Sequence, residues 1–380
     1  MHLGRFHHVV DHLERHFSAA KLAEILDAAV SVLEQYSQSR TESLMAEFRN
    51  KLAQALDSSD DVADELLQPY AQQVIGELGL KMLFPPEVRS KTDEIVAEHG
   101  FDSVSLATAL KKQAKLIGVK VSYLKQLDGA LRSLSVEYTE VAEHCAEFGL
   151  LLPRNIVGEK LPDLSKEFDS LSKLARAVNE LSGQPDYDPQ VVTISSSWWQ
   201  IFLDIPIDQV AIWTLAIERI VTLFKSNLEI KQLQKQLSEK AMPDAILKAI
   251  SDEVDKKVSG GLKSIATDLM AKFATIEDRG RRNEIETQLR QGLHYLAKRM
   301  NEGAQVELNV GLPDEPEDPV TKEGEEPNQQ LLEANSKIRE RLAQLRQIRG
   351  AAMKASEASL QLDTAAPLLL SDLKSHDDLE

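Results

Sequence analysis

The stretch Leu110–Phe148, LKKQAKLIGVKVSYLKQLDGALRSLSVEYTEVAEHCAEF, decides how this chain is read. Taken in strict alternation of three and four, positions 110, 113, 117, 120, 124, 127, 131, 134, 138, 141, 145 and 148 hold Leu, Gln, Ile, Lys, Leu, Leu, Leu, Leu, Tyr, Val, Cys and Phe. Ten of these twelve residues are apolar, so the pattern is that of a heptad seam. At 1.5 Å per residue it predicts one helix ~60 Å long, closed by Leu151-Leu152-Pro153, with Gly118 and Gly129 as its weak points. Such a length suits an elongated bundle, or a coiled coil between chains.

Helical patterns continue on both sides. Leu22, Ile25, Ala29, Val32, Tyr36, Leu44, Phe48 and Leu52 predict one helix, or two with a break near Ser37-Gln38-Ser39. Ser58-Ser59-Asp60-Asp61 reads as the cap of a further helix to about Gly79, and Phe84-Pro85-Pro86 ends it. On the C-terminal side, Pro162–Ser182 is helical and Ser182–Pro189 is a linker. The period then changes. Val191–Ile194, Trp198–Ile205 and Gln305–Val310 are β-branched, aromatic or alternating, and predict a minor β-element.

Asp208 opens a helix to about Lys240, whose stripe Val210, Trp213, Ile217, Ile220 and Phe224 shifts phase toward Ile230, Leu233 and Leu237. Pro243 sits in the first turn of the next helix, which Gly260-Gly261 is expected to break or bend before helical patterns resume at 262–273 and 281–300. Leu312–Pro327 holds four of the fourteen prolines and seven acids, and reads as a solvated linker. A basic helix follows, Asn328 to about Leu360, and the last dozen residues are expected to fray. The expected fold class is mainly α, with long coiled-coil-like helices and a minor β-element. Four regions follow: 1–182, 183–311, the linker 312–327, and 328–380.

Composition narrows the class. With 44 Lys and Arg against 61 Asp and Glu, the 380 residues carry a formal charge of −17, which disfavours nucleic-acid binding by the body. Glycine, at 17, and proline, at 14, fall below the usual ~7% and ~5%, as long helices require. One cysteine allows no intramolecular disulfide and no thiolate metal cluster, which fits a reducing compartment. The first seventeen residues carry five histidines where a signal peptide would need an apolar core, and no uncharged run approaches 18 residues. A cytoplasmic protein is expected.

Catalytic patterns are sparse. His8, His12 and His16 recur at i, i+4 and could hold a transition metal, although a polar helix face has the same spacing. His12-Leu13-Glu14-Arg15-His16 has its glutamate at the wrong offset for HExxH chemistry. Cys145 beside His144 makes no dyad on a helix and is expected as a core thiol. Ser195-Ser196-Ser197 lacks a nucleophile elbow, and Gly260-Gly261 lacks the spacing of a phosphate loop. No cofactor is expected unless the histidines take a metal.

Two clusters invite partners. Trp198, Trp199 and Trp213 are all the tryptophans, with Phe202 between them. They predict a well-packed core, a protein interface, or an element that enters a membrane. An inserting version would resemble the helical pore-forming toxins, against which Glu218 and Arg219 argue. Arg339, Arg346 and Arg349 form the basic face of the C-terminal helix, suited to an acidic partner or to the chain's own acidic surface. The leading expectation is a non-enzymatic scaffold or adaptor acting through coiled-coil-type seams, in which the Leu110–Phe148 and Val210–Leu237 seams hold the body and the C-terminal helix recruits a protein partner or a second copy. A membrane-acting helical effector using residues 198–224 is the alternative, and a metal-binding protein through the histidines the third.

Overall fold

The computed structural model describes residues 2–158, 160–195, 198–226, 244–316 and 329–362. The chain is mainly α with a small β-element. It forms two compact units, Met1–Glu140 and Val141–Glu380. The division falls inside the stretch that reads as one seam, rather than at 182/183.

The first unit holds α1 (Leu3–Ala20), α2 (Leu22–Ser39), α3 (Glu42–Asp60), α4 (Pro69–Glu77), α5 (Glu87–His99) and α6 (Ser103–Ser133). Lys21 and Arg40 separate the first three, each in a left-handed conformation at φ 49° and 47°. Their N–H groups donate to Phe17 O and Tyr36 O and so close each helix without a glycine. Ser58 and Ser59 cap nothing. Their hydroxyls donate back to Ala55 O and Leu56 O, at 2.8 and 2.6 Å, in the last turns of α3. Ala29, Val30, Leu33, Phe48, Leu106 and Leu110 make a core from α2, α3 and α6.

Helix α6 begins on Asp102, whose carboxylate accepts the Val104 N–H at 3.1 Å. It ends at Ser133. Leu134 N–H and Val136 N–H close it on Ala130 O and Leu131 O, with Ser135 left-handed at φ 54°. The 60 Å helix of the heptad reading therefore lacks its last fifteen residues, while α6 starts seven residues before Leu110 and is 31 residues long. Leu134 is exposed, Tyr138 packs on His7 with ring centroids 4.5 Å apart, and Cys145 is exposed rather than a core thiol. Their three-four spacing is coincidental in a non-helical segment.

The second unit contains β1 (Ala146–Leu152), α7 (Leu161–Leu181), β2 (Val191–Ser195), β3 (Trp199–Ile205), α8 (Val210–Ser226), α9 (Asp244–Phe273), α10 (Arg279–Asn301), β4 (Gln305–Val310) and α11 (Gln329–Leu360). The strands form an antiparallel sheet in the order β2-β3-β1-β4. Phe148 thus sits in the central strand, opposite Leu203 and Leu308, and not on a helix. All seven residues of β1, a strand paired on both sides, are buried.

One sheet face, with Phe148, Leu150, Ile201, Leu203, Val306 and Leu308, packs into the helical core. Gly260-Gly261 does not break α9, which runs through both residues. A Cβ on Gly261 would lie 2.5 Å from Leu223 Cδ1, so the glycine serves close approach of α8. The Ser182–Pro189 segment is anchored within this unit: Asn179 Nδ2 donates to Tyr187 O, and Tyr187 Oη to Asp204 Oδ2, both at 2.6 Å. Residues 312–316 are irregular, whereas Pro243, the 227–237 part of the phase-shifted seam, residues 317–327 and the tail from 363 lie outside the described residues.

Candidate interaction surface

Helix α6 carries two rows. The heptad row lies mostly inward: Leu110, Gln113, Ile117, Leu124 and Leu131 are buried, whereas Lys120 and Leu127 are half-buried. Its polar member is matched, since Gln113 Nε2 donates to Thr92 Oγ1 of α5 at 3.0 Å. Nearby, Asp128 accepts from Arg132 Nε at 2.6 Å, and Arg132 also pairs with Asp11 of α1. The ring of His7 lies between Val136 O, 2.5 Å from Nδ1, and Asp128, 3.4 Å from Nε2. The seam, expected either within a bundle or between chains, packs inside the first unit.

The second row points outward. Leu116, Val119 and Tyr123 are 43%, 38% and 62% exposed and step by three and four along one side of the helix. Leu127, half-buried, and Ala130, exposed, continue the same side. Lysines accompany it: Lys112 stands in line with the row one turn before Leu116, and Lys115 and Lys120 stand on its two sides. From Ser103 to Ser133 there are six basic residues and one acid, and that acid is the buried Asp128. Among the described residues, Lys111 reaches Glu34 at 3.0 Å, but Lys112, Lys115 and Lys120 have no ion-pair partner. A cationic, apolar strip thus stands on a chain of charge −17.

The tryptophans are mostly interior. Trp213 is 1% exposed with its ring 4.1 Å from that of Phe148, Phe202 is 0% exposed, and Trp199 packs partly on the same core. Trp198 is half-buried. Phe202 and Trp213 are accordingly not surface residues: Phe202, on the face of β3 opposite Ile201 and Leu203, lies over Gly149 of β1, and Trp213 packs in the helical core of the unit. Among the described residues, no helix is long and apolar enough to cross a membrane.

The basic C-terminal helix is engaged within its own unit. Arg346 Nη2 meets Glu315 at 3.0 Å, Arg339 Nη2 donates to Pro316 O at 3.3 Å, and Arg349 is also in contact with a partner group. Leu342, Leu345, Ala352 and Ala355 of the same helix are buried. Ser356 and Ser359 complete the edge of the sheet: Leu308 N–H donates to Ser356 Oγ at 2.9 Å, and Val306 N–H to Ser359 Oγ at 3.2 Å. Ser359 Oγ in turn donates to Val306 O.

The histidine row does not converge. His8 and His12 meet edge to face at 4.5 Å, His8 faces Glu140 at 3.5 Å, and His16 stacks on Phe84 at 5.6 Å. Burial holds His8 and His16 below the ordinary histidine range, and His12 adds to this at His8. Among the described residues, no group of three His, Cys, Asp or Glu side chains is arranged to hold a metal. The outward row of α6 is the feature that sequence reading missed. Its signal was the run of lysines with no exposed acid between them.

No protein-family model, no curated protein and no solved structure matches this chain.

Proposed function

We propose that this is a non-enzymatic interaction protein, a scaffold or adaptor, that binds a protein partner through the outward row of α6. One observation carries the reading: Leu116, Val119 and Tyr123 stand exposed in a row on a helix whose opposite side is already filled. Single exposed apolar residues need no explanation, but a row at seam spacing is what a helical partner covers. A cytoplasmic setting goes with it, since the exposed thiol of Cys145 suits a reducing compartment. The membrane-acting alternative has lost its main support with Phe202 and Trp213 in the core.

The test is native mass measurement and co-purification of the full chain from its source cell, beside a Leu116→Gln/Tyr123→Gln variant. The expected result is a stoichiometric protein partner that the variant loses while keeping its fold. Identical masses and identical co-purified proteins for both would overturn the proposal.

A further inference from the structure

We infer that the partner element received by α6 is an acidic amphipathic helix, an inference that rests on the interaction reading above. The apolar row fixes the shape. Leu116, Val119, Tyr123, Leu127 and Ala130 follow seam spacing over fifteen residues, a rise of ~21 Å, and such a row interdigitates with another helix. An extended peptide would need an open strand edge for its backbone, which a helix does not offer.

The lysines fix the charge. Lys115 lies along one flank and Lys120 along the other, in the places from which seam-flanking residues reach across to a partner helix, and Lys112 stands in line with the row one turn before Leu116. Some other described cations pair within the fold: Arg89 with Asp57 and Asp60, Arg281 with Glu180 and Glu284, and Arg346 with Glu315. These three lysines remain without an ion-pair partner among the described residues. Carboxylates on both sides of a partner's apolar stripe would neutralise them. A second copy presenting the same row would set lysine against lysine, so self-pairing on this surface is disfavoured. An anionic membrane or a nucleic acid shares only the charge, and leaves the seam spacing without a role.

The experiment titrates the full chain against a labelled helical peptide of about four heptads with Leu at the seam positions and Glu at the flanking ones. A second peptide carries Lys in place of each Glu. The small contact predicts micromolar binding of the Glu peptide, at least ~10-fold weaker binding of the Lys peptide, and loss of affinity with added salt. Lys112→Glu/Lys115→Glu/Lys120→Glu should invert that preference, and Lys112→Gln/Lys115→Gln/Lys120→Gln should abolish it. These side chains lie at the surface, and circular dichroism reports whether the variants keep their helices.

Equal binding of both peptides, no binding of the Glu peptide, or a preference unmoved by the lysine variants would overturn the inference. So would lysine-dependent binding to phosphatidylserine vesicles or duplex DNA in place of the Glu peptide. If Leu116→Gln/Tyr123→Gln removes the cellular partner while the charge reversal leaves it bound, the interaction reading stands and the acidic chemistry falls. If neither change affects what co-purifies, both fall.

Discussion

Helices α6 and α11 are nearly equal in length, 31 and 32 residues, and both are rich in basic side chains, yet they use them in opposite ways. On α11 the arginines turn to the acidic segment before it, and two serines finish the edge of the sheet. On α6 the inner row is filled by the helices of its own unit, while the outer row keeps its lysines unmatched among the described residues. Counting charges along a helix therefore says little about which surface is open. What matters is whether the fold already supplies the counter-charge.

The largest effect that would break this contrast lies on α11. Leu345 is fully buried, so Leu345→Ala should cost about 2–5 kcal/mol by lost transfer energy and the cavity left behind. Chemical denaturation of the second unit checks it, and a cost near zero would mean that α11 is not docked. Ser356→Ala with Ser359→Ala should follow at about 1–3 kcal/mol per unmet backbone group, with faster amide exchange at Val306 and Leu308. Unchanged exchange at those amides would remove the serines' role.

Acid should act on the unit that carries α6. His8 and His16 of α1 are held below the ordinary histidine value of 6.5, chiefly by burial. The unfolded chain takes up these protons as pH falls through 6.5 while the folded unit resists, so stability is full above that pH and declines below it. His16→Leu should flatten the decline measured by hydrogen exchange in α1, and a flat wild-type profile would contradict the assignment. The smallest effects belong to exposed charge. Arg346→Gln should change stability by about 0–1 kcal/mol, and Lys112→Gln/Lys115→Gln/Lys120→Gln by within about 0.5 kcal/mol per site. If the lysine variant lost several kcal/mol, the outer row would be structural and the contrast would collapse.

Sequence reading found β2, β3 and β4 because their alternation and β-branched residues differ from everything around them. It missed β1. Ala146–Leu152 is a short apolar run that fits a buried strand as well as a helix, and the preceding seam spacing happened to continue through Tyr138, Val141 and Cys145. The end of α6 also lacks a glycine or proline, since Ser135 takes the left-handed conformation instead. Gly260-Gly261 misled in the other direction, because a glycine that admits a neighbouring side chain looks in sequence like a breaker. At the candidate surface the obstacle was different: once one row of α6 had been assigned to the seam, the second row, offset around the same helix, had no separate period to reveal it.

The closing of β4 by serines has a consequence for how the chain is made. Ser359 lies 53 residues beyond Val306, and Ser356 lies 48 beyond Leu308. A ribosome adding residues in order delivers the strand several seconds before the helix that covers it, at ~5–20 residues per second. During that interval the strand's outer N–H and C=O groups face solvent and any neighbouring nascent chain, so stalled or truncated products ending before Ser356 should be the ones that need a chaperone.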